Sequence, residues 1–201
     1  MARTKAFDTK AVLHRAMKAF GILGYEGATL PDLLKELGIA RQSLYDTYGT
    51  KRDLFIAAVQ MYMDSKAEVM EHLLEETGEV LPLLEQCFTE IVDTLLHAEL
   101  SYECFIIAIA AEEAARDEEL RQYVQHNQQR IEYVFRSLLE RAVKQQELVA
   151  NADTQSLAQF LAHERLALVF AARAGTDEAR LRTVVKLSLS LVSSSKRTDF
   201  K

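Results

Sequence analysis

The segment GIARQSLYDTYGTKRDLF, residues 38–55, gathers hydrogen-bonding side chains onto a helical stretch of only about two turns. Arg41, Gln42 and Ser43 stand together at its start, and a glycine bounds it on each side. A helix this short is marginal in water by itself. Its chemistry is a cluster of exposed donors and acceptors, which base edges and phosphates of a nucleic acid would engage. Such a segment needs neighbouring helices to hold it.

Three short helices are predicted to position these side chains. The first spans about residues 9–23 with Asp8 as its N-cap, and the second follows the cap residue Thr29. Gly38 ends the second helix, in the left-handed conformation that allows a sharp turn, and the third helix spans about residues 41–48. Two helices joined by a tight glycine turn favour a helix-turn-helix. A plain helical corner without DNA contacts is the alternative.

Charge divides the chain at about the same place. Residues 1–52 hold nine Lys or Arg and five Asp or Glu, a net charge of +4, whereas residues 53–201 hold 15 basic and 25 acidic residues, a net charge of −10. This division predicts a DNA-binding domain at residues 1–52 that approaches polyanions, and an acidic body at residues 53–201 that does not.

The rest of the chain also predicts helices, so the fold class is all-α. Only two prolines and seven glycines occur in 201 residues, and strong helix formers dominate. Thr50 and Asp53 form a capping box before a long fourth helix that ends near residue 76. Further helices are expected with Pro82 in the first turn of the fifth, over residues 101–115 as one segment, and over residues 117–146. Two more, joined by a loop at Gly175, complete the body.

Several function classes are not favoured by the sequence. The five histidines and two cysteines show neither metal-ligand spacing nor a catalytic arrangement, so no enzyme, metal or cofactor is expected. No secretory segment or membrane span is predicted. The low cysteine content favours a reducing cytoplasm.

The stretch FGILGYEGATLPDLLKELGIARQSLYDTYGTKRDLF resembles the N-terminal domain of the TetR (tetracycline repressor) family of transcriptional regulators. The resemblance covers residues 9 to about 58 and includes the pair Gly24-Tyr25 and the spacing from Tyr48 to Lys51. The family usually has His at position 47 and Phe at position 48, where this chain has Thr47 and Tyr48. The first departure affects one phosphate contact, which the Thr47 hydroxyl could still make.

The resemblance implies a set of DNA contacts around the third helix. Four residues at its start would lie nearest the bases, and the others would contact phosphates. Arg41 could pair with guanine through two hydrogen bonds, and Gln42 with adenine. The base-facing candidates are Ala40, Arg41, Gln42 and Ser43, and the phosphate candidates are Thr29, Tyr45, Thr47 and Lys51.

The resemblance also implies a small-molecule effector pocket among the body helices. Aromatic residues are the main candidates for its lining, although core and pocket residues look alike in a sequence. The effector-binding candidates are Phe88, Tyr102, Cys104, Phe105, Tyr133, Phe160, His163 and Glu164.

Two features of the body carry alternatives. His163, Glu164 and Arg165 interrupt an apolar helix, either as an ion pair that fixes a dimer register or as groups that recognise a polar part of an effector. Cys104 precedes FIIAIAA and is either a buried small apolar residue or a reactive thiol.

The sequence therefore predicts a DNA-binding transcriptional regulator of the TetR type. The last two helices carry more apolar surface than one contact face uses, which favours a homodimer that binds double-stranded operator DNA with two half-sites. Such a regulator would be a repressor released from a palindromic operator by a small molecule. The alternatives are an activator with the same fold and an effector-independent helical module that binds proteins.

Overall fold

A computed structural model describes residues 7–194, and this part of the chain contains ten α-helices and no β-strand. In chain order they are α1 Thr9–Gly27, α2 Leu30–Leu37, α3 Arg41–Tyr48, α4 Lys51–His72, α5 Val80–Leu96, α6 Leu100–Cys104, α7 Ile106–Glu113, α8 Glu118–Lys144, α9 Thr154–Arg173 and α10 Glu178–Ser194. The all-α fold class is confirmed.

The described chain forms two compact units. The first unit comprises residues 7–65 and 99–124, and the second comprises residues 66–98 and 125–194. The helices α4 and α8 each contribute to both units. The expected DNA-binding domain, residues 1–52, belongs to the first unit as far as it is described. Its boundary with the expected effector-binding domain stays a prediction about function.

The first helix begins and bends where local sequence requires it. The Asp8 carboxylate accepts hydrogen bonds from the backbone N–H groups of Lys10 and Ala11 at 2.9 and 3.3 Å, which confirms it as the N-cap. Gly24 has a φ of 74° inside α1, so the regular part of the helix ends at Leu23 as predicted. Leu23 lies in the last turn before this break and is 43% exposed.

The helix-turn-helix geometry follows from two local features. Gly38 has φ 65° and ψ 29°, the left-handed conformation that glycine adopts without steric cost. Leu33, Leu37 and Leu44 have no exposed surface, so α2 and α3 both contribute to the apolar interior of the first unit. This burial supplies the stability that eight residues of α3 could not supply alone.

A close helix crossing shapes the rest of the first unit, where α1 packs against α6 and α7. A Cβ atom added at Gly21 would lie 1.8 Å from the backbone oxygen of Tyr102, so only glycine permits this approach. On the surface, His14 Nδ1 lies 3.2 Å from Glu103 Oε1. Residues more than 80 positions apart in sequence thus complete the support of α1.

Two predicted helix limits were wrong. The segment expected as one helix over residues 101–115 is two helices, α6 and α7, separated at Phe105. Phe105 has a right-handed helical conformation and is both the C-cap of α6 and the N-cap of α7. The fourth helix ends at His72 rather than near residue 76, because residues 73–75 form turns.

The second unit is built around α5, α9 and α10, which pack against one another. Both carboxylate oxygens of Glu147 accept the N–H of Val80, at 2.8 and 2.9 Å, and one also accepts the N–H of Leu81. A residue distant in sequence therefore caps the N-terminus of α5. Phe88 and Phe135 stack in the interior with their ring centres 5.8 Å apart.

Candidate nucleic-acid interface

The outer face of α3 carries the predicted base-reading groups. Leu44 is fully buried, whereas Arg41 and Gln42 are exposed and Ser43 is half-buried. Arg41 makes no hydrogen bond or ion pair with any residue from 7 to 194. Its guanidinium is therefore free to form the two parallel hydrogen bonds that guanine accepts.

Ala40 is the N-cap residue of α3 and cannot form a side-chain cap. The N–H groups of the first helical turn consequently have no side-chain partner at this end, which is where a helix binds anions.

Gln42 is held by a residue that the sequence analysis did not select. Its Nε2 atom donates to Asp46 Oδ1 at 2.7 Å, four residues further along α3. The contact orients the Gln42 amide and leaves Oε1 and one amide hydrogen for a base. The i,i+4 spacing of the two residues was visible in the sequence and could have revealed the pair.

Tyr48 explains one departure from the family pattern. Its hydroxyl donates to the backbone oxygen of Thr9 at 3.0 Å, so the extra oxygen relative to Phe ties α3 to the start of α1. Burial, and then the nearby Asp8 carboxylate, raises the pKa of Tyr48, which keeps this donor protonated. Thr47 is half-buried beside it, and Tyr45 is 45% exposed on the outer face.

Thr29 occupies the N-cap of α2. Its Oγ1 accepts the N–H of Asp32 at 3.4 Å, and its hydroxyl donates to the Asp32 carboxylate. The residue is exposed, so the oxygen can be reached from solvent. Because the hydroxyl already has an acidic partner, a phosphate contact there would have to replace that bond.

Lys51 is positioned by an aromatic ring. Its Nζ lies 4.6 Å from the ring centre of Tyr25, within the range of a cation–π interaction. Tyr25 is fixed in turn by Phe55, 4.9 Å away between ring centres, and by Phe20 at 6.2 Å. Lys51 is also the first residue of α4, where Thr50 and Asp53 form the predicted capping box.

The neighbouring cation has a different role. Arg52 donates through Nε to Asp117 Oδ2 at 2.6 Å, through Nη2 to Asp117 Oδ1 at 2.9 Å, and through Nη2 to Glu119 Oε2 at 2.8 Å. These bonds lower the pKa of Asp117 and raise that of Arg52. Arg52 thus connects the start of α4 to Asp117 and to the first turn of α8, whereas neighbouring Lys51 has no such carboxylate partner among residues 7–194.

Comparisons with known proteins agree with this geometry. Residues 12–58 match the model of the bacterial regulatory proteins of the tetR family, and residues 80–187 match the tetracyclin repressor-like C-terminal domain. The chain is 45% identical over 193 residues to an uncharacterized HTH-type transcriptional regulator, YezE, of Bacillus subtilis, covering 96% of this chain and 100% of the relative. The chain belongs to the TetR family.

Two other similar proteins have more specific descriptions. The HTH-type transcriptional repressor ComR of Escherichia coli is 26% identical, with 94% of this chain and 90% of ComR covered. A cysteine mutant of the TetR-family regulator CifR, solved with a 26-bp double-strand operator DNA, matches with a TM-score of 0.81 and 27% identity, covering 94% and 98% of the two chains. This TetR-family protein is accordingly a DNA-binding transcriptional regulator.

Three of the predicted effector contacts belong to the first unit of this TetR-family regulator. Tyr102 and Phe105 are half-buried, with their rings 6.2 Å apart between centres, and Cys104 is 5% exposed. They stay predictions. The burial of Cys104 favours the packing alternative over the reactive thiol, because a reactive thiolate needs solvent access.

The other predicted effector contacts belong to the second unit and differ widely in exposure. Phe88 is fully buried, Phe160 is half-buried, and Tyr133 is 55% exposed under the guanidinium of Arg136. His163 is exposed and lies 2.7 Å from the backbone oxygen of Gln159. These assignments also stay predictions.

The ion pair considered for residues 163–165 is not formed within the described chain. Glu164 is hydrogen-bonded with Ser188, and burial raises the Glu164 pKa more than that bond lowers it. Arg165 is 7% exposed and has no carboxylate partner among residues 7–194. The two neighbouring charges therefore face different surroundings.

Two further findings concern residues 7–194. No group of three or more His, Cys, Asp or Glu side chains in this part of the chain could hold a metal ion. No single helix there is long and apolar enough to cross a membrane, and one bent pair, α5 with the α6–α7 segment, meets the criterion by length and composition only.

Proposed function

We propose that this TetR-family regulator is a homodimeric repressor that leaves a palindromic operator when a small molecule binds its body. The observation that carries the DNA part is the outer face of α3, where Arg41 is exposed and unpaired while Leu44 anchors the helix. A free guanidinium next to an oriented Gln42 amide fits readout of base edges, and Lys51 on Tyr25 fits a phosphate contact.

The two faces of α10 support the homodimer. Leu181, Val185 and Val192 are at most 7% exposed and pack inward. Val184, Leu187 and Leu191 are 41, 62 and 52% exposed, and their spacing of three and four residues aligns them on one side of the helix. Phe170 of α9 adds a side chain that is 37% exposed. A stripe of exposed large apolar side chains is typical of an association surface.

Dimerisation would give the α3 surface its affinity and selectivity. One short recognition helix contacts few base pairs, whereas two linked copies read two half-sites and gain avidity. Release needs little energy by comparison, because a 100-fold loss of operator affinity corresponds to about 2.7 kcal/mol of coupling. Since α4 begins at Lys51 and contributes to both units, an effector that shifts α4 acts directly on a DNA-contact residue.

The two alternatives differ in their support. An effector-independent module that binds only proteins has no support from the family assignment. An activator with the same fold shares every feature described above, since activation and repression differ in where the operator lies relative to the promoter.

A reporter assay tests the proposal. The operator is first selected from random double-stranded DNA with the purified protein, and the recovered motif is placed over a promoter. We expect an inverted repeat and lower reporter expression when the regulator is present, with weaker repression by Arg41→Ala as the control. A motif without two-fold symmetry, or higher expression with the regulator, would contradict the proposed repressor.

A further inference from the structure

Arg165 is the only charged residue of residues 7–194 whose side chain is buried, and its charge has no carboxylate partner there. It is 7% exposed, its Nε atom is buried without a hydrogen-bond partner, and no carboxylate from residues 7–194 lies within 4 Å of it. An unpaired buried charge is strongly destabilising, so proteins keep one only where something else supplies the opposite charge.

The other unpartnered atoms have the same hydrogen-bonding character. Within residues 7–194, the buried side-chain atoms without a partner are Gln128 Nε2, Arg141 Nε, Arg141 Nη2 and Arg165 Nε. All are N–H donors, and all belong to the second unit. Arg141 differs from Arg165 because its Nη1 donates to the backbone oxygen of Glu76 at 2.7 Å. The interior of the second unit therefore lacks a hydrogen-bond acceptor for these donors.

Arg165 lies on the inward face of α9. The buried positions of this helix are Ala158, Leu161, Ala162, Arg165, Leu168 and Val169. His163, Ala167 and Phe170 are exposed and follow the opposite side of the helix. Burial raises the pKa of Cys87 in α5 to about 12, and the positive charge of Arg165 acts in the opposite direction. Arg165 thus lies on the inward side of α9, which packs against α5, and away from the exposed face that would meet a second copy.

Charge and surroundings select the class of ligand. A guanidinium matches a carboxylate or a phosphate with two parallel hydrogen bonds. The guanidinium of Arg165 balances a single negative charge, which a monocarboxylate carries and a phosphate monoester exceeds. The residues around Arg165 on the inward face are apolar and suit a hydrocarbon tail.

We propose that Arg165 is the anchor for the carboxylate of an amphipathic monocarboxylate that occupies the second unit. This inference rests on the proposed release by an effector and names the chemical class of that effector. Glu164 does not compete for the guanidinium because it is engaged with Ser188. Glu90, the acidic group that also influences Cys87, is exposed and accepts a hydrogen bond from Gln86 at 2.8 Å.

Ligand binding to the unmodified protein without DNA is the first test. The melting temperature is measured with acetate, butyrate, octanoate and dodecanoate, and with the matched uncharged alcohols. We expect at least one carboxylate to raise the melting temperature through binding to the folded state, while its alcohol does so much less. Equal shifts for acid and alcohol, or no shift with any acid, would overturn the proposal.

Variants of Arg165 give the second test. Arg165→Met should raise the melting temperature of the ligand-free protein, because an unpaired buried charge is removed, and should weaken carboxylate binding by about tenfold or more. Arg165→Lys should retain part of the binding. Arg180→Met is the matched control, since Arg180 is 80% exposed and paired with Asp177 on the surface.

Two outcomes of the variant test would reject the assignment. A lower melting temperature for Arg165→Met would mean that water or a protein group already satisfies this arginine. If light scattering shows that Arg165→Met is a monomer while the unmodified protein is a dimer, the partner of Arg165 would be a carboxylate of the second copy.

The inference and the proposed function fail in different ways. If a carboxylate binds in a way that depends on Arg165 but does not change operator affinity, release by this effector is contradicted. The role of Arg165 as the carboxylate anchor would still stand. If an uncharged compound releases the operator and no carboxylate binds, effector release would stand. The role of Arg165 as a carboxylate anchor would be rejected.

Discussion

The two units of the molecule differ in how their functional groups are satisfied. In the first unit, Lys51 rests over Tyr25, Gln42 is bonded to Asp46, and Tyr48 is bonded to Thr9 before any DNA is present. In the second unit, Arg165 is buried without a partner and α10 exposes an apolar stripe. The proposed DNA-contact groups are thus held in place by other residues of the first unit, whereas the second unit has a buried cation and an apolar stripe without partners among residues 7–194. Pre-organisation would lower the entropic cost of DNA binding, and the unpartnered groups are what the proposed effector and second copy would engage.

A charge in the exposed stripe of α10 should have the largest effect. We expect Leu187→Glu to convert the dimer to a monomer and to reduce operator affinity by roughly 10²-fold or more, because avidity between two half-sites is lost. Light scattering and an electrophoretic mobility shift assay measure the two effects. Lys186→Glu is the control, since it adds a carboxylate on another side of the same helix. A dimeric Leu187→Glu protein would show that the stripe is not the interface.

Two variants distinguish base readout from phosphate contact in the first unit. Arg41→Ala should relax the preference at one base position per half-site and cost about 1–3 kcal/mol. Lys51→Ala should weaken binding to all sequences alike and reduce the salt dependence by about one unit of slope. Selection from random DNA, repeated at several salt concentrations, distinguishes them. An unchanged motif for Arg41→Ala would remove its base-reading role.

Pre-organisation of Lys51 predicts a smaller effect at a residue that does not itself contact DNA. Tyr25→Leu should weaken operator binding by about 0.5–1 kcal/mol because it removes the cation–π contact, while Tyr25→Phe keeps the ring and should bind normally. Melting temperatures control for the packing of Tyr25 on Phe55. If Tyr25→Phe loses as much affinity as Tyr25→Leu, the hydroxyl rather than the ring is what matters.

The cysteines should give the smallest effect. Cys87 and Cys104 are 6 and 5% exposed, and burial raises the Cys87 pKa to about 12, so this thiol stays protonated at neutral pH. We expect N-ethylmaleimide to label neither residue rapidly in the native protein and both in denaturant. When a mild electrophile is added, Cys104→Ser and the unmodified protein should bind the operator equally well. Fast native labelling of Cys104 would restore the thiol-sensor alternative.

The features of the first unit that depend on neighbouring residues could be predicted from the sequence. The caps at Asp8, Thr29 and Thr50, and the left-handed turn at Gly38, each involve groups within a few positions of one another. The exposed face of α3 followed from the same local reasoning together with the family resemblance. Helix limits were less certain, as the separation of α6 from α7 at Phe105 illustrates.

Tertiary packing decided what the sequence alone left open. The rings that hold Lys51, the Thr9 oxygen that holds Tyr48 and the two carboxylates that hold Arg52 come from other helices of the first unit. The sequence placed Arg165 beside Glu164 and allowed an ion pair between them, but the helix turns them toward different neighbours. Local hydrogen bonds depend on nearby residues and are encoded in short segments. Burial and counter-charge depend on which distant surfaces meet, and only the folded chain determines that.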